Sequence, residues 1–286
     1  MTNDERSPND EFRASTFVIL SSFVLRHSSF SRRINHRMRH VVGISGGKDS
    51  VAMALRLLEV EPRDYQYIIT PTGNELPEMF AHWKRLESLL GKPLVRLGPY
   101  REGDGLVQLI DQMNALPNWR QRWCTRILKI EPTIAYLKEN APCVQYVGLR
   151  ADEDTREGIY GRFEGVEQRY PLREWGWGID DVWGYLAERG IKIPQRTDCA
   201  WCFGQRLIEW KRLLENSPRI YQAGIEIEKK TGHTFRSPGR DTWPASLEEL
   251  REALASGRKV RGDKRQLPSD MHQMEEEDGA CRVCRM

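Results

Sequence analysis

Long apolar runs are missing from this sequence. No stretch approaches the roughly 18 residues that a membrane-crossing helix needs. The longest, Thr16 to Leu25, is broken by Ser21-Ser22. It follows the acidic pairs Asp4-Glu5 and Asp10-Glu11, without the basic leader and small-residue cleavage site of a secretory signal. The expectation is a soluble, cytoplasmic protein with no membrane partner. A dominant charge is missing as well. Lys and Arg number 44 against 41 Asp and Glu, a net +3 that neither demands nor excludes nucleic acid. The clusters Arg32-Arg33 and Arg258 to Arg265 read first as solvated chain. Six cysteines in a reducing compartment do not predict a disulfide framework. Four of them form two Cys-x-x-Cys pairs, Cys199/Cys202 and Cys281/Cys284, a spacing suited to metal, iron–sulfur or redox work. Internal repeats are absent.

What the chain does contain is an alternation of strands and helices. Residues 1–37, rich in Ser, Arg and Asn, are expected to be a flexible extension, or to follow from a start placed too early, since Met38 directly precedes the first strong strand. A short helix over Phe17 to Leu25 is the alternative. Val41 to Ile44 is a short apolar run ending in Ser-Gly-Gly. Val51, Ala54, Leu55 and Leu58 then fall at helical spacing. Tyr65 to Thr70 is a second strand. Pro77 opens a helix carrying Met79, Trp83, Leu86 and Leu90, stopped by Gly91. Leu94 to Leu97 and Val144 to Leu149 are further strands, with a helix over Arg126 to Lys138 between them. Ile179, Val182, Trp183 and Leu186 form another helical stripe.

This alternation predicts an α/β fold, a parallel sheet with helices on both faces. It is expected over residues 38–195, followed by a helical region over 196–256 that carries Cys199 and Cys202. A flexible charged tail over 257–286 holds the second Cys-x-x-Cys. In such sheets the ligand sits beyond the carboxyl ends of the strands. Ser45, Thr72, Gly73, Asn74 and Arg150 all follow such ends. Cys143 opens a buried strand, where cysteine usually acts as a small apolar residue. Trp175, Trp177 and Trp183 read as core or helix-docking residues.

The segment Ser45-Gly46-Gly47-Lys48-Asp49-Ser50 carries the clearest chemistry. A buried strand stops, two glycines allow a tight turn, and a helix begins. Backbone N–H groups and the helix N-terminus then face an anion. Ser45 and Ser50 can donate hydroxyls, and Lys48 supplies a point charge. Asp49 would order the loop, cap the helix or meet a magnesium ion. The Gly-x4-Gly-Lys-Ser spacing of the other common phosphate loop is absent. A plain Gly-rich turn with a capping serine is the bland alternative.

The hexapeptide resembles the PP-loop of the adenine nucleotide α-hydrolase-like superfamily, whose members have a Rossmann-like sheet and act at or beside an α-phosphate. Pro71-Thr72-Gly73-Asn74-Glu75-Leu76-Pro77-Glu78 resembles a segment of the phosphoadenosine phosphosulfate (PAPS) reductases. So do Arg122-Trp123-Cys124 through Pro132, Gly148-Leu149-Arg150, Tyr170-Pro171-Leu172, Asp181-Val182-Trp183-Gly184-Tyr185-Leu186, and Cys199-Ala200-Trp201-Cys202, all in order across roughly residues 40–215. The departures are specific. Trp123-Cys124 stands where the cluster-bearing reductases have tandem cysteines, Pro71 replaces an aspartate, and the tail cysteine motif that attacks the sulfonucleotide is absent. The run Trp123-Cys124-Thr125, Leu128-Lys129-Ile130 and Pro132 looks more like the DNA phosphorothioation sulfurtransferases.

The resemblance implies an adenine nucleotide (ATP, or PAPS or adenylyl sulfate) with Mg2+, bound by Ser45, Gly46, Gly47, Lys48, Asp49, Ser50, Thr72, Gly73, Asn74, Arg150 and Arg156. Lys48, Asp49 and Arg150 are the expected catalytic residues. Cys124, Cys199 and Cys202 are expected to hold a [4Fe-4S] cluster, with zinc as the second candidate. Cys143, Cys281, Cys284 or no protein group would complete it. The expected reaction is adenylation-dependent sulfur transfer, with a sulfur-donor protein and a nucleic-acid acceptor as candidate partners. A sulfonucleotide reductase and a non-catalytic nucleotide-sensing subunit are the rivals.

Overall fold

The computed structural model describes residues 38–98, 105–153 and 163–260; Arg156, Cys281, Cys284, residues 1–37 and most of the expected tail lie outside these. The element order is β1 (Arg39–Gly43), α1 (Lys48–Val60), β2 (Tyr65–Ile69), α2 (Pro77–Leu90), β3 (Leu94–Arg96), α3 (Gly105–Met113) and α4 (Trp123–Thr125). A π-helical turn (Arg126–Ile130) leads into α5 (Glu131–Glu139). Then come β4 (Cys143–Tyr146), β5 (Val166–Arg169), α6 (Pro171–Glu174), α7 (Ile179–Glu188), α8 (Leu207–Asn216), α9 (Pro218–Thr231) and α10 (Leu247–Ala255). Among the described residues no helix is long and apolar enough to cross a membrane.

The five strands form one parallel sheet in the order β3-β2-β1-β4-β5, with helices on both faces as the alternation predicts. Successive strand residues point to opposite faces, and the core divides accordingly. Val42, Ile44, Tyr65, Tyr67, Ile69, Val144 and Tyr146 pack with residues of α1, α2 and α7. Val41, Ile68 and Cys143 pack on the other face with Leu97 and Leu137. The chain leaves β1 toward β2 on one side and returns to β4 on the other, so the switch point lies between β1 and β4.

The loops after β1 and β4 therefore share one crevice. Gly148, just past β4, lies close against α1: an ideal Cβ there would sit 3.1 Å from Ser50 N. A further apolar cluster joins Leu106, Ile110 and Leu128 to Trp201, Trp210, Tyr221, Phe235, Leu247 and Leu250. The α9–α10 connection is organised by the buried Glu228, which accepts from Phe235 N (2.8 Å) and Leu247 N (2.6 Å).

Candidate functional site

Strand β1 ends at Gly43, and the backbone turns at Gly46, whose φ of +84° favours glycine. An ideal Cβ there would also lie 2.7 Å from the Met79 methyl, so glycine is needed for room as well. Ser50 closes the turn. Its hydroxyl donates to Gly47 O (3.0 Å) and accepts from Ser45 N (3.2 Å). With that proton spent, the 3.1 Å contact between the two hydroxyls is a donation from Ser45, whose Oγ in turn accepts from Gly47 N (3.2 Å). Helix α1 starts with Gly47 as its N-cap and no side-chain cap.

The three expected catalytic residues meet. Lys48, only 4% exposed, places Nζ 3.5 Å from Asp49 Oδ2. Arg150 Nη1 donates to both Asp49 oxygens at 3.2 Å, and its Nε donates to Asp152 Oδ1 at 2.8 Å. Burial raises the Asp49 pKa, against the pull of Lys48 and Arg150. Arg150, expected from the sequence to bind an anion, pairs with the carboxylates of Asp49 and Asp152.

The loop after β2 is held by Glu75, while Asn74 Nδ2 and Glu75 Oε2 are buried without hydrogen-bond partners. Glu75 Oε1 accepts from Thr72 N (2.5 Å) and from the Thr72 hydroxyl (2.6 Å), and Leu106 N donates to Thr72 O (2.7 Å). Gly73, at φ +74°, makes the turn. This loop is joined to the cysteine motif: Ala200 N donates to Asn74 O (2.7 Å), and Glu75 and Cys199 form an antiparallel bridge. Thr72, Gly73 and Asn74 therefore connect the crevice to Cys199.

Cys124 and Cys199 are half-buried and Cys202 is buried; all three pack together with Trp119 and Phe203. Cys202 N donates to Cys199 O (3.2 Å), forming the tight turn the Cys-x-x-Cys spacing requires. The Cys202 pKa is pushed well up, first by its thiol contact with Cys199 and then by burial. Burial also raises that of Cys124, against the pull of Lys129. The three cysteines are neighbours, as expected. Even so, among the described residues no three His, Cys, Asp or Glu side chains are arranged to hold a metal ion. The donor chemistry suits soft metals and iron–sulfur clusters, while the geometry is not that of an assembled centre.

Cys143 does not join the other three. It is fully buried, donates to Leu137 O (3.6 Å) and pairs in register with Arg39, at the amino-terminal end of the strands. The loops of the crevice leave the opposite end. Trp175, Trp177 and Trp183 pack against the core, as their reading predicts.

Several residues at the site carry no motif. Arg196, with a side chain 10% exposed, pairs with Glu209 (3.1 Å) and donates to Cys199 O (3.4 Å). His82 contacts the Gly46 carbonyl. Its only sequence signal was a polar residue beside Met79, Trp83 and Leu86 on a buried helix face.

The chain is similar to several known proteins. Two curated relatives are uncharacterized proteins of Methanocaldococcus jannaschii. MJ0066 is 24% identical over 197 residues, covering 64% of this chain and 40% of the relative. MJ0973 is 26% identical over 233 residues, covering 75% and 55%. The chain thus spans about half the length of the curated relatives it matches. Among solved structures it is similar to the PAPS reductase of Candida auris in its phosphate complex, with TM-score 0.40, 16% identity, and 55% of this chain and 75% of that one covered. It is also similar to the U34-tRNA thiolase NcsA of Methanococcus maripaludis with its [4Fe-4S] cluster, with TM-score 0.43, 14% identity, and 87% and 80% covered. Residues 39–196, more than half of the chain, match the phosphoadenosine phosphosulfate reductase domain, and the chain belongs to that family.

Proposed function

We propose that this protein is an ATP-dependent sulfurtransferase. The observation that carries the reading is the backbone junction between Asn74-Glu75 and Cys199-Ala200, which sets the cysteine motif against the nucleotide crevice. Residues 38–195 would form the nucleotide-binding part and residues 196–256 the cysteine-bearing part. ATP lies with its phosphates over the Ser45–Ser50 loop. Attack by an acceptor oxygen on the α-phosphorus forms a P–O bond and releases pyrophosphate. A sulfur nucleophile then displaces AMP from the activated carbon.

Lys48 and the helix N-terminus balance the charge gathering on the phosphates. Asp49, held by Arg150, orders the loop, and Thr72 to Asn74 and Arg156 complete the nucleotide contacts. Mg2+ bound with the nucleotide would neutralise phosphate charge. A [4Fe-4S] cluster, or zinc as the second candidate, would be held by Cys124, Cys199 and Cys202 and would supply a thiophilic centre. A nucleic acid is the proposed acceptor and a persulfide-carrying protein the proposed donor; after AMP leaves, a thiol reductant would cleave the resulting C–S–S bond to free the donor as a disulfide.

The second reading, reduction of PAPS or adenylyl sulfate, is favoured by the family match itself. Both are tested on anaerobically purified protein. Pyrophosphate release from ATP in the presence of RNA and a sulfide source supports sulfur transfer. Sulfite release from PAPS with a thiol donor supports the reductase. Nucleotide binding with neither product leaves a sensing subunit.

A further inference from the structure

Beneath the phosphate loop lies a pair of side chains outside every motif. His82, on the buried face of α2, is 3% exposed. Its Nε2 lies 2.9 Å from Gly46 O and its Nδ1 lies 2.8 Å from Arg85 Nη2. A guanidinium only donates. Nδ1 is therefore the acceptor, and the ring proton sits on Nε2, aimed at the carbonyl. Burial foremost, with the Arg85 charge in addition, holds the His82 pKa down at about 4, so the ring is neutral near pH 7. Arg85 also donates to Lys192 O, which anchors it to the segment after α7.

The carbonyl of Gly46 and the N–H of Gly47 belong to one planar peptide unit and point in opposite directions. Turning the carbonyl toward α2 turns the N–H toward Ser45 Oγ and the mouth of the loop. A glycine at φ +84° has no side chain to oppose rotation of that peptide. The restraint has to come from neighbours: Ser45 Oγ holds the N–H end of the peptide at 3.2 Å, and His82 holds its carbonyl end at 2.9 Å.

We propose that His82 is a positioning residue of the phosphate loop, holding the Gly46 carbonyl so that the Gly47 N–H faces a bound phosphate, with Arg85 fixing the ring tautomer. This rests on the reading of the loop as a phosphate site.

The test is calorimetric titration of the full chain with ATP, pyrophosphate and adenosine. His82→Phe keeps a ring but loses the donor, whereas His82→Gln keeps an amide donor near the same place. Loss of the clamp should weaken ATP and pyrophosphate by about tenfold in His82→Phe and leave adenosine unchanged, with His82→Gln restoring most of the affinity. Hydrogen exchange at the Gly47 amide of the unliganded protein should also quicken in His82→Phe. Unchanged ATP affinity in a folded His82→Phe, or an equal loss for adenosine, overturns the proposal. If the wild-type chain binds neither ATP nor pyrophosphate, the phosphate reading fails by itself; the exchange at Gly47 then decides the clamp, and an unchanged rate overturns it. Should His82→Phe not fold, Arg85→Met takes its place with an expected loss of about threefold, and no loss counts against the proposal.

Discussion

The Ser45–Ser50 loop and the Cys199–Cys202 loop are built differently. In the first, Ser45, Gly47 and Ser50 satisfy one another, and Lys48, Asp49, Arg150 and Asp152 form one chain of ion pairs. Around the second, buried polar atoms are left without hydrogen bonds, among them Arg122 Nε, Arg196 Nε and Gln205 Oε1, and the raised pKa values of Cys124 and Cys202 keep both thiols protonated. Burying a donor without a partner is costly. A loop of six consecutive residues can complete its own hydrogen bonds; a site drawn from positions 124, 199 and 202 depends on the tertiary fold and on what it binds.

The largest expected effect breaks the preformed half. Gly46→Val puts a branched side chain at φ +84° and into the Met79 methyl. Left-handed strain and overpacking together should cost about 3 kcal/mol in chemical denaturation. The same variant should abolish ATP binding in calorimetry.

Two buried groups, one under the first loop and one in the helical region, should also answer pH in opposite directions. The folded pKa of His82 is depressed to about 4, so between about pH 4 and 6.5 the unfolded chain binds more protons and stability rises with pH. Glu228 in the helical region is raised to about 7, by burial first, so the folded chain holds its proton longer and stability falls as pH rises from about 4.5 to 7. Each contribution is about 3 kcal/mol. The windows overlap, so the two contributions largely cancel in the wild type; stability of His82→Gln should fall across about pH 4.5–6.5, and that of Glu228→Gln should rise. A parallel pH profile for the two variants would contradict the contrast.

A smaller effect sharpens it. Lys48→Ala should weaken ATP binding by about 1.5–3 kcal/mol, the value of one charge-assisted contact. Since Arg150 still pairs with Asp49, the melting temperature should move by only a few degrees, and the cysteine region should bind iron as before.

The same difference governs what was legible in the sequence. The Ser45–Ser50 turn is contiguous, and its strand, glycines and helix stand in one line of residues. Pro77 at the start of α2 and Gly91 at its end were equally readable, being local rules of chain geometry. β5 was missed because Val-Glu-Gln-Arg has one apolar residue and lies at the sheet edge. The π-helical turn at Arg126–Ile130 was read as plain helix, since one extra residue per turn leaves no mark in a short apolar pattern. The ties of Arg150 to Asp49 and of His82 to Gly46 span 101 and 36 positions, so only the fold reveals them. The closeness of Cys124 to Cys199 and Cys202 followed from family resemblance and not from spacing.

The measurement that tests the account most directly is iron and sulfide analysis with electronic and paramagnetic resonance spectra, on the chain purified without oxygen, with and without ATP. The account expects four irons and four sulfides per chain, lost in Cys124→Ser, Cys199→Ser and Cys202→Ser, and a spectrum that shifts when ATP binds beside the centre. A chain that takes up neither iron nor zinc, or whose centre survives all three substitutions, would contradict a nucleotide loop coupled to a cysteine-held centre.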